Sequence, residues 1–406
     1  MHVLVGHNYY QLPGGEDNVF AAETQMIESS GHQLTRYTAH NDSLAAMGPL
    51  RVGGKTLWNR AAFRELQGLL RVNRPDVCHF HNTFPLMSPA VFHAVKSRGI
   101  PVVLTLHNYR LICPSAVLMR EGRTCQKCVG KAVPIGAVQH GCYRESRVAS
   151  AGVAAMSSLH RLLQTWRKKI DLYVALTEFA RDKFIEGGLP ADRIAVKPNF
   201  IYPDPGMSES RENYALFVGR LTNEKGVRTM LEAWRLSGRA HQRPVLRIAG
   251  DGPLAEEVRN AAATIPGVEW LGPLRRGEVM EQMRGAAMLI FPSIWYEGLP
   301  LTILEAFATG LPVIASDLGS MPELVDAGRT GLLFRPGSAT DLAEKVLWAA
   351  SHKLEMKGMC AAARQEFERK YTREKNYRLL MDYYQRVTRG AAALRADENL
   401  SWAVND

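Results

Sequence analysis

Long hydrophobic runs are missing from these 406 residues: no apolar stretch reaches the ~18 residues that a membrane-spanning helix requires. The opening MHVLVGHNYY lacks a basic segment ahead of an apolar one. It reads as a first β-strand and not as a signal peptide, so a cytoplasmic protein is expected. Internal repeats and low-complexity tracts are absent, which removes solenoids and disordered linkers from consideration. Cysteine is scarce, six in all, with a single C-x2-C pair. In a reducing compartment that disfavours a disulfide framework. No nucleic-acid-binding motif is evident either.

Length and charge come next. A chain of this size accommodates two medium α/β domains. Residues 1–200 hold 24 Lys and Arg against 14 Asp and Glu, whereas residues 201–406 hold 26 of each. The formal net charge of +10 therefore sits wholly in the first half. Without a nucleic-acid motif, a basic half suits an anionic membrane surface or a phosphate-bearing acceptor; an incidentally basic surface is the alternative.

The most informative stretch is MLIFPSIWYEGLPLTILEAFATGLPVIAS. MLIF is short, apolar and closed by Pro292 and Ser293, as expected of a buried parallel strand. LTILEAFAT reads as a helix, with Pro300 at its opening and Gly310 just past its end. PVIAS is the following strand. Ligands of such open α/β units bind beyond the carboxyl ends of the strands. Glu297 falls in that loop, and Glu305 in the second turn of the helix. The N–H groups of Leu301 and Thr302 stand free at the helix start, where an anion is favoured. Two carboxylates around a positive helix end suit a nucleotide-linked sugar: the carboxylates accept hydroxyl protons and the helix end meets the diphosphate.

EGLPLTILEA, with TGLPVIAS and GLLFRPG after it, resembles the E-x7-E region of retaining glycosyltransferases of family 4, also called glycosyltransferase group 1, and bacterial surface-polysaccharide transferases in particular. The resemblance implies an α/β architecture of GT-B type, two Rossmann-like doubly wound domains facing across a cleft. It covers nearly the whole chain and is strongest from Leu216 to Pro336. The expected division is an acceptor-binding domain over 1–205 with a Cys-containing insertion at 109–145, and a nucleotide-sugar-binding domain over 206–372. A terminal helix over 373–390 would cross back to the first domain, and a frayed tail would occupy 391–406.

Along the chain, Gly14 and Gly15 follow the first strand, where backbone can approach a ligand without Cβ obstruction; they resemble the loop that meets the donor diphosphate. The stretch 41–74 reads as mainly helical, with GPLRVGGKT as a loop. DVCHFHN ends a buried strand at His81 and Asn82, and TLHNY ends another at His107 and Asn108. TLHNY resembles the family's T-x-H-D stretch, whose His lies by the donor sugar. Here Asn108 stands where the family has Asp, so residue 108 brings no carboxylate of its own. His79, His81 and His107 lack the H-x3-H spacing that would set two ligands on one helix face. FVGRLTNEKG resembles the family's G-R-x5-K-G stretch, with four residues here between Arg220 and Lys225; both cations would neutralise a diphosphate. Gly219, Gly250 after VLRIA, and Leu271 in VEWLGPL complete the expected donor site, with Leu271 as a wall for the base.

Cys113, Cys125, Cys128 and Cys142 give C-x11-C-x2-C-x13-C within a basic insertion. They are either a tetrahedral structural zinc site or buried thiols. Residues 151–170 carry Met156, Leu159, Leu162, Leu163 and Trp166 at helical spacing beside Arg161, Arg167, Lys168 and Lys169. That pattern fits a helix lying on anionic lipid or one packed on its own sheet.

By resemblance, the chain transfers a sugar from a nucleoside diphosphate sugar of UDP or GDP type to an acceptor hydroxyl, with retention at the anomeric carbon. The expected catalytic residues are His107, Glu297, Arg220 and Lys225. The donor site adds Gly14, Gly15, Gly219, Gly250, Leu271, Gly298, Leu299, Leu301, Thr302 and Glu305. His81, Asn82 and Asn108 are the acceptor side. No D-x-D motif occurs, so no catalytic metal is expected; structural zinc is the one candidate cofactor. The acceptor would be a glycan or lipid-linked glycan in exopolysaccharide, capsule or lipopolysaccharide assembly, met at the inner face of the cell membrane, with no nucleic-acid partner. Two rivals stand beside this reading: a sugar-nucleotide epimerase of the same fold, and a non-catalytic sugar-nucleotide binding protein.

Overall fold

Among the described residues fourteen strands occur, twelve of them in two parallel sheets. The computed structural model describes residues 1–11, 14–208, 210–238 and 243–403, with side chains through residue 391. In chain order the strands are β1 (His2–Tyr9), β2 (Gln33–His40), β3 (Val77–Asn82), β4 (Val102–Leu106), β5 (Met119–Arg120), β6 (Arg123–Thr124), β7 (Leu172–Ala175), β8 (Ile194–Val196), β9 (Tyr214–Val218), β10 (Val245–Ala249), β11 (Val268–Gly272), β12 (Met288–Phe291), β13 (Val313–Ser316) and β14 (Gly331–Phe334).

The chain divides into two compact units. The first comprises residues 1–117, 126–198 and 376–406; the second comprises 118–125 and 199–375. The first unit's sheet has the order β2-β1-β3-β4-β7-β8, all parallel. Its central strands VCHFHN and VVLTL are buried along their whole length, as strands covered by helices on both faces must be. The order reverses between β1 and β3, so the crevice at the carboxyl ends of those strands is where a ligand is expected.

The second unit's sheet has the order β11-β10-β9-β12-β13-β14. This is the doubly wound order of dinucleotide-binding folds, with its switch point between β9 and β12. Helix Val227–Leu236 buries Met230, Leu231 and Trp234 on one side of it. Burying residues of this kind stabilises by roughly 1.5–3 kcal/mol each.

Three local expectations change. GPLRVGGKT is not a loop: Pro49–Leu57 is a helix, opened by Pro49 at its first position and packed against helix Arg147–Leu162. Tertiary packing overrides the cost of Gly53 and Gly54 there. The stripe on residues 151–170 is split. Met156 and Trp166 are buried, but helix Arg147–Leu162 ends before Leu163, and Leu162 and Leu163 are 79% and 43% exposed. His160 takes the inward place, bonding Thr165 and the carbonyl of Leu57 at 2.9 Å each. Finally, the terminal helix runs from Arg373 to Ala403, through most of the stretch expected to fray; residues 404–406 of that tail lie outside the described residues. No helix among the described residues is long and apolar enough to cross a membrane.

Candidate active site

In the second unit, the first turn after β9 brings backbone to backbone. Gly219 donates to the carbonyl of Ala249 at 3.1 Å, and Leu221 to that of Asp251 at 2.8 Å. Gly250 has φ +150°, and a Cβ there would lie 1.9 Å from the carbonyl oxygen of Gly219. Only glycine permits this approach. Lys225 ends a short 3-10 turn capped by Gly226 at φ +71°, where a Cβ would lie 1.9 Å from the carbonyl oxygen of Pro292. The turn after β9 is thereby pinned to the loop after β12, and Ile294 donates to the carbonyl of Glu224 at 2.9 Å.

That pinning brings Lys225 and Glu297 together. Lys225 Nζ, Ser293 Oγ and Trp295 Nε1 each lie 2.7 Å from Glu297 Oε1. Ser320 Oγ donates to the Glu297 carbonyl at 2.9 Å. The Lys225 ammonium also lies 5.5 Å from the Trp295 ring centroid, within cation–π range. Glu297 is thus a buried carboxylate on a rigid mount, not a solvated loop residue. Gly298 and Leu299 follow it into the helix start, and Leu299 is buried. Arg220 is exposed and takes no ion pair among the described residues.

Helix Leu301–Ala308 starts after Pro300, so the N–H groups of Leu301 and Thr302 have no acceptor within the helix. Glu305 sits one turn further in. Its carboxyl is pushed up to about 7 by burial, against the opposing pull of Arg276 4.0 Å away. Gly219, Gly250 and Leu271 stand at the carboxyl ends of β9, β10 and β11, on the side of the sheet where Glu297 follows β12.

In the first unit, His107 follows β4 directly, next to His81 and Asn82 at the end of β3. These three and Asn108 line one small cavity of about 60 Å³. His107 Nε2 is 3.0 Å from His81 Nδ1, and His81 Nε2 is 3.1 Å from Glu23 Oε1. Glu23 Oε2 meets Lys197 Nζ at 2.8 Å. Asn376, on the terminal helix, accepts from the same Lys197 at 3.0 Å. His79 lies 2.7 Å from both the Tyr384 hydroxyl and Thr105 Oγ1, and 3.2 Å from Glu23. Burial opposes charge on Glu23, but Lys197 and the two histidines hold its carboxyl well below the usual range. Burial pushes His81 down to about 4 despite Glu23, and drives His107 well below the usual imidazole value, helped by His81.

Among the described residues, Glu23, His79 and His81 are the group whose donor atoms lie close enough to hold a metal. Their chemistry speaks against one. The Lys197 ammonium already neutralises the carboxylate, and every ring nitrogen of the two histidines lies within hydrogen-bond reach of a protein partner.

Gly14 donates to Asp17 Oδ2 at 2.8 Å at the start of helix Gly15–Ser29, and Asp17 Oδ1 bonds His7 at 2.7 Å. The Gly14–Gly15 turn is thus fastened to β1. Asn108 Nδ2 donates to Glu16 Oε1 at 2.6 Å. The four cysteines are not brought together as a metal site. Cys113 Sγ is spent on Ser115 Oγ at 3.1 Å, and Cys125 closes the β5–β6 hairpin that clusters with the second unit. A tetrahedral knuckle requires all four sulfurs around one point, and no such group occurs among the described residues.

The sequence families described as Glycosyltransferase Family 4 and Glycosyl transferases group 1 match residues 13–204 and 212–352 respectively. The chain belongs to the family 4 glycosyltransferases. The amylovoran biosynthesis glycosyltransferase AmsK of Erwinia amylovora is 27% identical over 53% of this chain and 56% of its own length. The putative teichuronic acid biosynthesis glycosyltransferase TuaC of Bacillus subtilis is 24% identical over 83% of this chain and 79% of its own. The chain spans about half the length of AmsK, and another curated relative is covered over only 19%. Among solved structures, Anabaena Alr3699/HepE in complex with UDP has a TM-score of 0.65 at 16% identity, covering 94% of this chain and 99% of that one. The fold of this family 4 chain is accordingly GT-B, two Rossmann-like units.

Sequence reasoning missed Glu23 and Lys197, which no motif marks. Glu23 had a signal: it shares the buried face of its helix with Val19, Phe20 and Ile27, an unusual place for an unpaired carboxylate. Ser293 and Trp295, which orient Glu297, had none beyond proximity.

Proposed function

We propose that this family 4 chain is a retaining glycosyltransferase that moves a sugar from a nucleoside diphosphate sugar to a glycan or lipid-linked glycan hydroxyl in surface-polysaccharide assembly. The observation that carries the reading is the second unit's switch point. Lys225 is fixed against Glu297, which lies four residues ahead of the uncapped helix start, and that helix carries the partly buried Glu305. Arg220, Lys225 and the N–H groups of Leu301 and Thr302 are assigned to the diphosphate, whose charge grows as the sugar leaves. Glu305 is assigned to the ribose hydroxyls and Glu297 to hydroxyls of the sugar. On the first unit, His107 is assigned to a hydroxyl of the donor sugar, and Asn82 and Asn108 to the acceptor, since both ring nitrogens of His81 are taken by Glu23 and His107. The acceptor hydroxyl attacks the anomeric carbon from the face the diphosphate leaves, and its proton passes to the departing phosphate oxygen. None of these roles requires a divalent metal.

A uridine donor is favoured because HepE is described in complexes with UDP and UDP-glucose. The names of AmsK and TuaC support polysaccharide assembly. Attachment to the inner face of the membrane is assigned to the basic first half, with exposed Leu162 and Leu163 near Arg167 and Lys168.

Thermal unfolding with UDP, GDP, ADP and dTDP tests the donor site. A ligand at 100 times its Kd stabilises by about 2.7 kcal/mol. One nucleotide should shift the wild type and leave Glu305→Ala unmoved. No shift with any of the four sinks the assignment.

A further inference from the structure

We propose that Glu23 and His81 are positioning residues that hold His107 in one tautomer, with the proton on Nε2 and the Nδ1 lone pair offered to a donor-sugar hydroxyl. The proposal rests on the reading of His107 given above and deepens it.

The direction of each hydrogen bond follows from the partners. Lys197 Nζ, an obligate donor, lies 2.8 Å from Glu23 Oε2, and both side chains are 1% exposed. A carboxylate so paired stays ionised and only accepts. The contact from Glu23 Oε1 to His81 Nε2 at 3.1 Å therefore requires a proton on that nitrogen. A neutral His81 then has only a lone pair on Nδ1. The 3.0 Å contact to His107 Nε2 makes His107 the donor. With Nε2 protonated, a neutral His107 has its lone pair on Nδ1. That nitrogen has no protein partner among the described residues, nor is it among the side-chain atoms sealed from solvent without one. The order of groups is thus ammonium, carboxylate, imidazole, imidazole, acceptor atom. The terminal helix fixes its far end through Asn376, which accepts from Lys197.

The alternative, a metal on Glu23, His79 and His81, has to displace Lys197 and break the bond to His107. The distances fit the ion-paired arrangement instead.

The test is long-range proton–nitrogen NMR on histidine-labelled full chain, with His107→Ala to assign the resonance. The wild type at pH 7 should show His107 neutral and protonated on Nε2. Glu23→Gln should let it populate both tautomers. His81→Phe keeps the Glu23–Lys197 pair and serves if Glu23→Gln does not fold. In transfer assays either variant should lower kcat about 10- to 100-fold with little change in donor KM, as for groups that orient an imidazole through its second nitrogen. The nucleotide-induced thermal shift should persist. A wild-type His107 protonated on Nδ1, or on both nitrogens, overturns the proposal. So does an unchanged His107 signal in both variants. Full activity in His107→Ala would instead refute the assigned role of His107, while the tautomer result would stand.

Discussion

Glu305 gives the sharpest test of the donor site, because burial has set a cost that pH controls. Its side chain is 15% exposed, and its pKa rises from 4.5 to about 7. In the unfolded chain the group loses its proton near 4.5; in the folded chain it keeps it until about 7. Between these values the native state binds one proton more, so stability falls as pH rises, by about 1.4 kcal/mol per pH step. Below pH 4 both states are protonated and the group is neutral in effect. Above pH 8 the full penalty is present, about 3 kcal/mol. Glu305→Gln removes the ionisation and keeps the shape. It should leave stability nearly unchanged at pH 4 and raise it by about 3 kcal/mol at pH 8, read from urea unfolding of the second unit. A nucleotide that presents its ribose hydroxyls to this carboxylate favours the ionised form, so binding near pH 6.5 should release a proton. Calorimetry in two buffers of different ionisation heat measures that release. A Gln variant whose advantage is the same at both pH values refutes the burial argument, and proton uptake on binding refutes the ribose assignment.

Other substitutions test other parts. Lys225→Met removes the cation beside Glu297 and should lower transfer about 10²- to 10³-fold, measured as kcat with donor saturating. Gly250→Ala forces a Cβ onto the Gly219 carbonyl at a φ unsuited to side chains; it should destabilise the second unit by about 1–3 kcal/mol in urea unfolding. Lys197→Met leaves Glu23 buried without its partner and should cost about 3–5 kcal/mol, which Glu23→Gln in the same chain should partly restore. Proton NMR of the product should show the donor's anomeric configuration kept; an inverted product refutes the retaining assignment.

What was legible in the sequence was whatever local chemistry announces. Pro300 and Gly310 bracket the helix that carries Glu305, and the run of β-branched and apolar residues in VVLTL marks a strand buried on both faces. Gly250 was legible as a candidate donor-site residue, but the close backbone approach at 226 and 250 shows only in the folded chain. What was not legible depends on pairs distant in sequence. Glu23 and Lys197 are 174 positions apart and meet only once β1, β3 and β8 lie in one sheet. The helix Pro49–Leu57 was hidden because its two glycines argue for a loop, and only its packing on helix Arg147–Leu162 decides otherwise. The cysteine pattern carried two readings, a zinc site or thiols, and its four members do not form one close group among the described residues. Spacing along the chain suggested convergence, but the β5–β6 hairpin draws Cys125 into a different unit from the other three.

The departure of TLHNY from T-x-H-D has a structural answer in the first unit. Asn108 Nδ2 lies 2.6 Å from Glu16 Oε1, so a carboxylate is present beside that position, supplied by helix Gly15–Ser29 instead of by residue 108 itself. Burial pushes the Glu16 carboxyl up to about 6, against the hydrogen bonds from Asn108 and Tyr10 that favour its anion. Asn108→Asp would remove one of those donors and set a second carboxylate against the first, and two like charges at that distance cannot both ionise cheaply. The pair would share a proton in the folded chain that the unfolded chain has already lost. Stability should therefore fall as pH rises, with a cost of about 1–3 kcal/mol at pH 8 that disappears near pH 4. Glu16→Gln in the same chain should abolish the pH dependence, since one carboxylate and one amide are restored in exchanged places. Urea unfolding of the single and double variants at the two pH values measures both effects. An Asn108→Asp chain as stable as the wild type at pH 8 would mean that Glu16 does not supply the carboxylate at this position.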